Sequence, residues 1–323
     1  MTTPTPKPVV VVSQCLGFDA CRYNGETISD RFIDKLAAHV TFRKVCPEVE
    51  IGLGVPRKPV RLVRAGPGVK LVQPDTGRDV TAAMKRFAGS YTDSLGEVDG
   101  FVLKGRSPSC GVFDAKVFAK AEKSPTVERR PGLFAEAVLR RFPHAVVEDE
   151  GRLSNFRIRE HFLTKLFLSA RFRAARRQGG AGALVRFQTE QKLLLMAYNQ
   201  KELRLLGKIV GNQDRRPNAE VWRLYQTHLQ QAVSRPARYP SNINVLMHGL
   251  GYFSHQLSAK EKAHFLDLLE QYRAGRVPVS APVSVVRSWI ERFDNDYLAS
   301  QIFFEPYPSD LVEITDSGKG RNK

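Results

Sequence analysis

Three strand-like segments in the first third of the chain each run directly into a loop that carries a cysteine. Val9-Val10-Val11-Val12, preceded by Pro8, leads into Ser13-Gln14-Cys15-Leu16-Gly17. Val40-Thr41-Phe42-Arg43-Lys44-Val45 leads into Cys46-Pro47-Glu48, and Gly100 to Leu103 leads into Lys104-Gly105-Arg106-Ser107-Pro108-Ser109-Cys110-Gly111. Short β-branched runs bounded by Gly, Pro and Ser read as buried strands. Between them, Ile28, Phe32, Ile33, Leu36 and Ala37 recur at helical spacing and predict a helix over 28–39. Asp79 or Thr81 is placed to cap a helix through Ala82, Met84, Phe87 and Ala88. Arg61 to Arg64 and Val69 to Val72 form a candidate hairpin across Gly66-Pro67-Gly68, and a helix over 132–142 and a strand over 145–148 follow. Alternating strand and helix predicts an α/β domain with an open, mainly parallel, Rossmann-like sheet. Ligands of such sheets bind beyond the carboxyl ends of the strands. If the three strands are parallel, Cys15, Cys46 and Cys110 meet on one edge. Cys21 lies in the loop beyond Cys15, where the strand pattern does not place it.

After about residue 155 the strand signals fade and helical periods take over. Helices are expected over 159–177, 184–210, 219–233, 243–256, 259–273 and 283–298, which makes the second part an all-α domain. The boundaries that follow are 1–153, 154–316 and a disordered tail, 317–323. Gly179-Gly180-Ala181-Gly182 reads as a turn between helices, since no strand precedes it. His248, His255 and His264 lack a carboxylate at ligand spacing and read as core or interface residues. Trp222, Tyr225, Tyr252 and Phe253 read as core. The net charge is +17, and it is concentrated: Arg157 to Arg238 holds 17 Lys and Arg against 5 Asp and Glu. That excess suits either a polyanionic partner, such as RNA, DNA or a phosphorylated small molecule, or a solvated basic surface. No run of about 18 apolar residues occurs, so no membrane span is expected. The polar, Pro-rich start lacks the apolar core of a signal peptide, so a cytoplasmic location is expected.

Several common chemistries are disfavoured. Gly52-Leu53-Gly54-Val55-Pro56-Arg57 lacks the third glycine and the following helix of a dinucleotide fingerprint. There is no P-loop, and no Cys-x-x-Cys pair of the zinc-ribbon or thioredoxin kind. The dispersed thiols at strand ends remain. Buried free cysteines can be simple small hydrophobes, but these lie in loops of Gly, Pro and polar residues. Soft thiolates select zinc, copper(I) or iron–sulfur clusters. Three cysteines leave a fourth position open, as in a reactive site. Spacing alone does not choose among these metals.

Four linked motifs carry a resemblance. Ser13-Gln14-Cys15-Leu16-Gly17, Arg22-Tyr23-Asn24-Gly25, Cys46-Pro47-Glu48 with Gly52 to Arg57, and Lys104 to Gly111, in that order, resemble the thiouracil desulfidase family over residues 8 to 153. Residues 155 to 315 resemble a YbgA-like helical domain, through Asn155-Phe156 and the run Asn244 to Phe253. The resemblance implies a [4Fe-4S] cluster on Cys15, Cys46 and Cys110 with one iron free of protein ligands. It also implies removal of sulfur from thiouracil or a thiolated uridine nucleotide. It implies a catalytic acid or base at Glu48 and a catalytic serine near Cys110, placed at Ser107 with Ser109 as the alternative. Single-domain members have a shorter loop after the first cysteine, so Phe18-Asp19-Ala20-Cys21 is a departure and Cys21 inherits no role. Arg22, Arg57, Lys104 and Arg106 share these loops and are candidates to hold a substrate phosphate or to offset the charge of the cluster. The expected partner is a thiolated pyrimidine or nucleotide. RNA through the basic helical domain and a second copy of the chain are further partners this reading admits. The competing function is a nucleic-acid-binding protein whose metal or cluster is structural.

Overall fold

The computed structural model describes residues 6–312, so the expected tail at 317–323 lies outside the described residues. The chain divides into two compact units. One is built on Pro6–Ala170 and takes back the segment from Pro308; the other is built on Arg171–Tyr307.

The first unit is α/β. In chain order it contains β1 (Val9–Ser13), α1 (Arg31–Leu36), β2 (Thr41–Val45), α2 (Pro47–Glu50), β3 (Arg61–Ala65), β4 (Gly68–Gln73), β5 (Arg78–Asp79), α3 (Thr81–Ser94), β6 (Gly100–Leu103), β7 (Ala115–Phe118), β8 (Thr126–Arg130), α4 (Leu133–Arg141), β9 (Val146–Asp149) and α5 (Glu150–Leu153). The sheet order β2-β1-β6-β9 is parallel throughout. Its central strands are buried on both faces, which is why they read as unbroken apolar runs. A second sheet, β5-β4-β3-β7-β8, is mixed; the hairpin of β3 and β4 lies in it, beside β7 and β8, which the sequence pattern did not show. One core joins the sheets and helices, with Val11, Leu62, Met84, Phe101, Val117 and Phe134 among its buried members.

Local chemistry sets the helix ends. α1 begins three residues later than the periodicity suggests, because the Asp30 carboxylate caps it, accepting from Phe32 N and Ile33 N at 2.9 and 3.1 Å. The residues before it are tied instead to the first cysteine loop, with Ile28 N donating to Cys15 O at 2.8 Å.

Helix α6 (Phe156–Gln178) contains the division between the units. Beyond it come α7 (Gly180–Tyr198), α8 (Gln200–Gly211), α9 (Asn218–Ala232), α10 (Tyr239–Tyr252), α11 (Ala259–Arg273), α12 (Ser280–Arg292) and α13 (Asp296–Ala299). The helical runs expected over 184–210 are two helices, α7 and α8. Asn199 divides them by adopting an extended backbone (φ −159°) and capping α8, its side chain accepting from Glu202 N at 3.1 Å. Phe172, Phe187, Trp222 and Tyr225 form one aromatic cluster, and Phe253, Phe265 and Trp289 another. Tyr252 departs from the core reading: it is 50% exposed and stacks on Tyr297 with ring centroids 5.6 Å apart. His248, His255 and His264 are exposed too, on the outer faces of their segments rather than in the core. Among the described residues, no helix is long and apolar enough to cross a membrane.

Candidate metal centre

The register of the parallel sheet aligns the three cysteine loops. Ser13 pairs with Val45, and Val12 with Val102, so β1, β2 and β6 end level. The loops are then stitched together: Gln14 N donates to Val45 O, and Lys104 N donates to the Ser13 hydroxyl, both at 2.9 Å. Cys15 sits two residues past β1, and Cys46 directly follows β2 as the residue before α2. All four cysteines are buried and unpaired.

The Cys110 loop is fixed from two sides. Inside it, the Ser107 hydroxyl oxygen accepts from Ser109 N at 3.2 Å and from Cys110 N at 3.0 Å. Outside it, α4 has no side-chain cap. Its first amides are satisfied by the loop itself, with Leu133 N donating to Pro108 O, and Phe134 N and Ala135 N to Ser109 O at 3.0 and 3.1 Å. The approach is so close that Gly132 is obligatory: a Cβ there would stand 2.5 Å from the Ser109 carbonyl.

The thiols sense one another. Burial, then the proximity of Cys46, pushes the Cys15 thiol up to about 11, partly offset by the Lys104 ammonium. Burial, then Cys46 and Cys15, pushes Cys21 up to about 12. Burial also raises Cys110, while a hydrogen bond with the Ser13 side chain favours its thiolate. Without a compensating cation these sulfurs keep their protons; a bound soft metal would displace them. Among the described residues, no three His, Cys, Asp or Glu side chains are spaced to hold a single ion. Buried thiols gathered at one sheet edge are soft donors, of the kind that zinc, copper(I) and iron–sulfur clusters take.

Glu48 stands against these thiols. It is only 9% exposed, and both carboxylate oxygens are held. Oε1 accepts from the fully buried Ser109 hydroxyl at 2.9 Å, and Oε2 accepts from the Arg57 guanidinium at 2.8 Å. Arg57 also donates through Nη1 to Cys21 O at 2.9 Å and Gly54 O at 3.1 Å, and its Nη2 lies 4.0 Å from the Cys46 sulfur. The chain reaches this position through Gly52 and Gly54, both with positive φ.

The four candidate cations differ in what they already hold. Arg57 is enclosed and committed to Glu48. Lys104 pairs with Glu150, and Arg22 with Glu26. Arg106 is exposed and has no ion-pair partner among the described residues. Its backbone sits at φ 60°, a conformation held by a 2.8 Å bond from its N–H to Asp114 Oδ1. Strain of that kind persists only where the surroundings impose it. Ser13 and Glu150 escaped the sequence reading. The one signal for Ser13 was its place at the end of β1, level with the start of the third loop.

Residues 10–150 match the 2-thiouracil desulfurase family, and residues 192–308 match a protein family of unknown function, DUF1722. The chain is 28% identical over 163 residues to the uncharacterized protein YbgA of Escherichia coli (strain K12), covering 50% of this chain and 86% of that one. It is 31% identical over 110 residues to the uncharacterized protein YbbK of Bacillus subtilis (strain 168), covering 32% of this chain and 73% of that one. Among solved structures it is similar to a [4Fe-4S]-dependent thiouracil desulfidase, TudS, at 30% identity and a TM-score of 0.36, over 46% of this chain and 93% of that one.

Proposed function

The chain belongs to the 2-thiouracil desulfurase family through residues 10–150, and from that premise we propose that it hydrolyses the thiocarbonyl of thiouracil or of a thiolated uridine nucleotide. The observation that carries the reading is the Arg57–Glu48–Ser109 chain lying against a ring of buried thiols. A [4Fe-4S] cluster on Cys15, Cys46 and Cys110 would supply a soft Lewis-acid iron for the thiocarbonyl sulfur.

The residues of the chain do the rest. Glu48 takes a proton from water, which attacks the polarised carbon. The C–O bond forms, the C–S bond breaks, and C=S plus water becomes C=O plus hydrogen sulfide with no net electron transfer. Ser109 and Arg57 fix the two oxygens of Glu48, so the base needs no reorganisation. Ser109 therefore acts by positioning. The Ser107 oxygen already accepts two amides, which leaves its O–H free to donate to the substrate. Arg106 is the cation free to meet a substrate phosphate.

Anaerobic purification, iron and sulfide analysis, and an assay of sulfide release from 2-thiouracil and 4-thiouridine monophosphate test this reading. Glu48→Ala should abolish turnover while the brown absorbance of the cluster stays. Persisting activity, or loss of the colour, would sink the role given to Glu48.

The exposed Tyr252–Tyr297 stack favours a second, compatible task for the helical unit: contact with RNA bases. Affinity for RNA that falls steeply with salt and weakens on Tyr252→Ala supports it; salt-independent or absent binding removes it.

A further inference from the structure

The first unit leaves few large apolar side chains in water. Among the described residues they are Tyr23, Val55, Phe113 and Val127. The first three follow Cys15, Cys46 and Cys110 in turn, one in each loop at the carboxyl edge of the parallel sheet. Phe113 is 51% exposed, yet it lies three residues past the buried Cys110 and is braced. The Arg152 guanidinium lies over the Phe113 ring, 5.3 Å from its centroid. That guanidinium is itself held by both oxygens of Glu148, at 2.7 and 3.2 Å. The backbone on either side is fixed as well: Gly132 N donates to Gly111 O, and Arg106 N to the Asp114 carboxylate, both at 2.8 Å. Leu103 pairs with Asp149, so β6 and β9 end level and bring the Phe113 loop and α5, which carries Arg152, to one edge. A single apolar side chain in water is ordinary. A fixed aromatic ring with a guanidinium on it, and Arg106 without an ion-pair partner among the described residues in the same loop, is an arrangement that stacks a base beside its phosphate.

We propose that Phe113 stacks the base next to the thiolated one when the substrate is a nucleotide within an RNA strand. The proposal rests on the desulfidase reading and adds to it a residue that favours a strand over a free nucleotide. The thiols lie below the surface, 4% to 9% exposed, whereas Phe113 stands in water above Cys110 in the same loop. Three residues of chain span at most about 11 Å, so the ring stays at the rim of the site. A pyrimidine that reaches the thiols leaves its place in the strand, and its neighbour loses a stacking partner. Phe113 supplies the replacement face. Free thiouracil or a mononucleotide has no neighbour to place there. Because the ring is already held by Arg152 and by its backbone, little side-chain freedom is lost when the base arrives.

A double cycle of binding measurements on the full-length protein, purified without oxygen, tests this. Fluorescence anisotropy gives the affinity for a labelled RNA of about five nucleotides with uridine at its centre, and for the same strand made abasic on one side of that uridine, each side in turn. One of the two abasic strands should bind the native protein about tenfold more weakly than the intact strand. Phe113→Ala should bind the intact strand about tenfold more weakly than the native protein does, and its penalty for that abasic site should fall below about twofold. Phe113→Trp should keep the abasic penalty. Phe113→Leu, which stays apolar but has no ring, should lose it. An abasic penalty of native size in Phe113→Ala overturns the proposal, as does a native protein indifferent to both abasic sites or a Phe113→Leu protein that matches the native one. The strand carries no sulfur, so these results judge Phe113 apart from the desulfidase reading. That reading falls instead if no sulfide is released from 2-thiouracil, from 4-thiouridine monophosphate or from a strand with 4-thiouridine at its centre.

Discussion

Replacing Arg57 by Ala removes the most heavily committed side chain of the site. The exposures of the Arg57 and Glu48 side chains are 5% and 11%, so neither charge is well screened by water. Removing one member of a buried ion pair leaves the other desolvated and uncompensated, at a cost of about 3–5 kcal/mol. The carbonyls of Cys21 and Gly54 lose their donor as well. A loss of about 3–5 kcal/mol is a large part of the total stability of a typical domain, and it should appear as a lower urea midpoint with an unchanged slope. Burial also makes the loss nearly independent of ionic strength. The origin of the cost can be isolated. If the uncompensated Glu48 charge is the main term, Glu48→Gln in the Arg57→Ala background should restore about 2 kcal/mol or more, although Glu48→Gln alone destabilises. A single-variant loss below about 1 kcal/mol, or a double variant no more stable than Arg57→Ala, refutes the reasoning.

Two further outcomes follow from other contacts. Gly132→Ala puts a Cβ 2.5 Å from the Ser109 carbonyl and 2.7 Å from Pro108 O; overpacking should cost about 1–3 kcal/mol, and displacement of the Cys110 loop should lower iron content as well as turnover. Native-like iron content in a destabilised Gly132→Ala protein would show that α4 does not control the loop. Burial, then the neighbouring acids Glu150, Asp114 and Glu148, opposed by a bond from Arg152 N, raises Asp149 to about 6. The unfolded chain therefore ionises first, and stability is lost as pH rises from about 4 to about 6. Asp149→Asn keeps an oxygen to cap α5 and should gain on the native protein across that window; a stability difference that does not change with pH there contradicts the shift.

What could be read from the sequence follows the range of the interactions involved. β1 and β6 were legible because strands covered on both faces carry unbroken apolar runs, and the ending of β1, β2 and β6 in cysteine loops already implied a shared edge. β7 and β8 were not, since strands of four and five residues with mixed exposure carry too little periodicity and take their place from pairing, β7 with β3 and β8 with β7. Asn199 was hidden inside an apolar helical pattern that its capping side chain overrides. The pairing of Glu48 with Ser109 crosses 61 residues of chain and depends on sheet register and on α4 gripping the third loop. Arg57 was visible as a cation in the right loop, but its commitment to Glu48 depends on how the chain turns at Gly52 and Gly54.

The grip of α4 on the Cys110 loop also orders the birth of the site. Pro108 and Ser109 are held by the amides of Leu133, Phe134 and Ala135, which are made later than any of the cysteines. During synthesis, a nascent chain that has already exposed all four thiols still lacks the clamp that seats the last of them. Whatever the centre binds is best delivered after α4 has left the ribosome, and a cell that supplies it sooner offers it to thiols that have not yet been gathered.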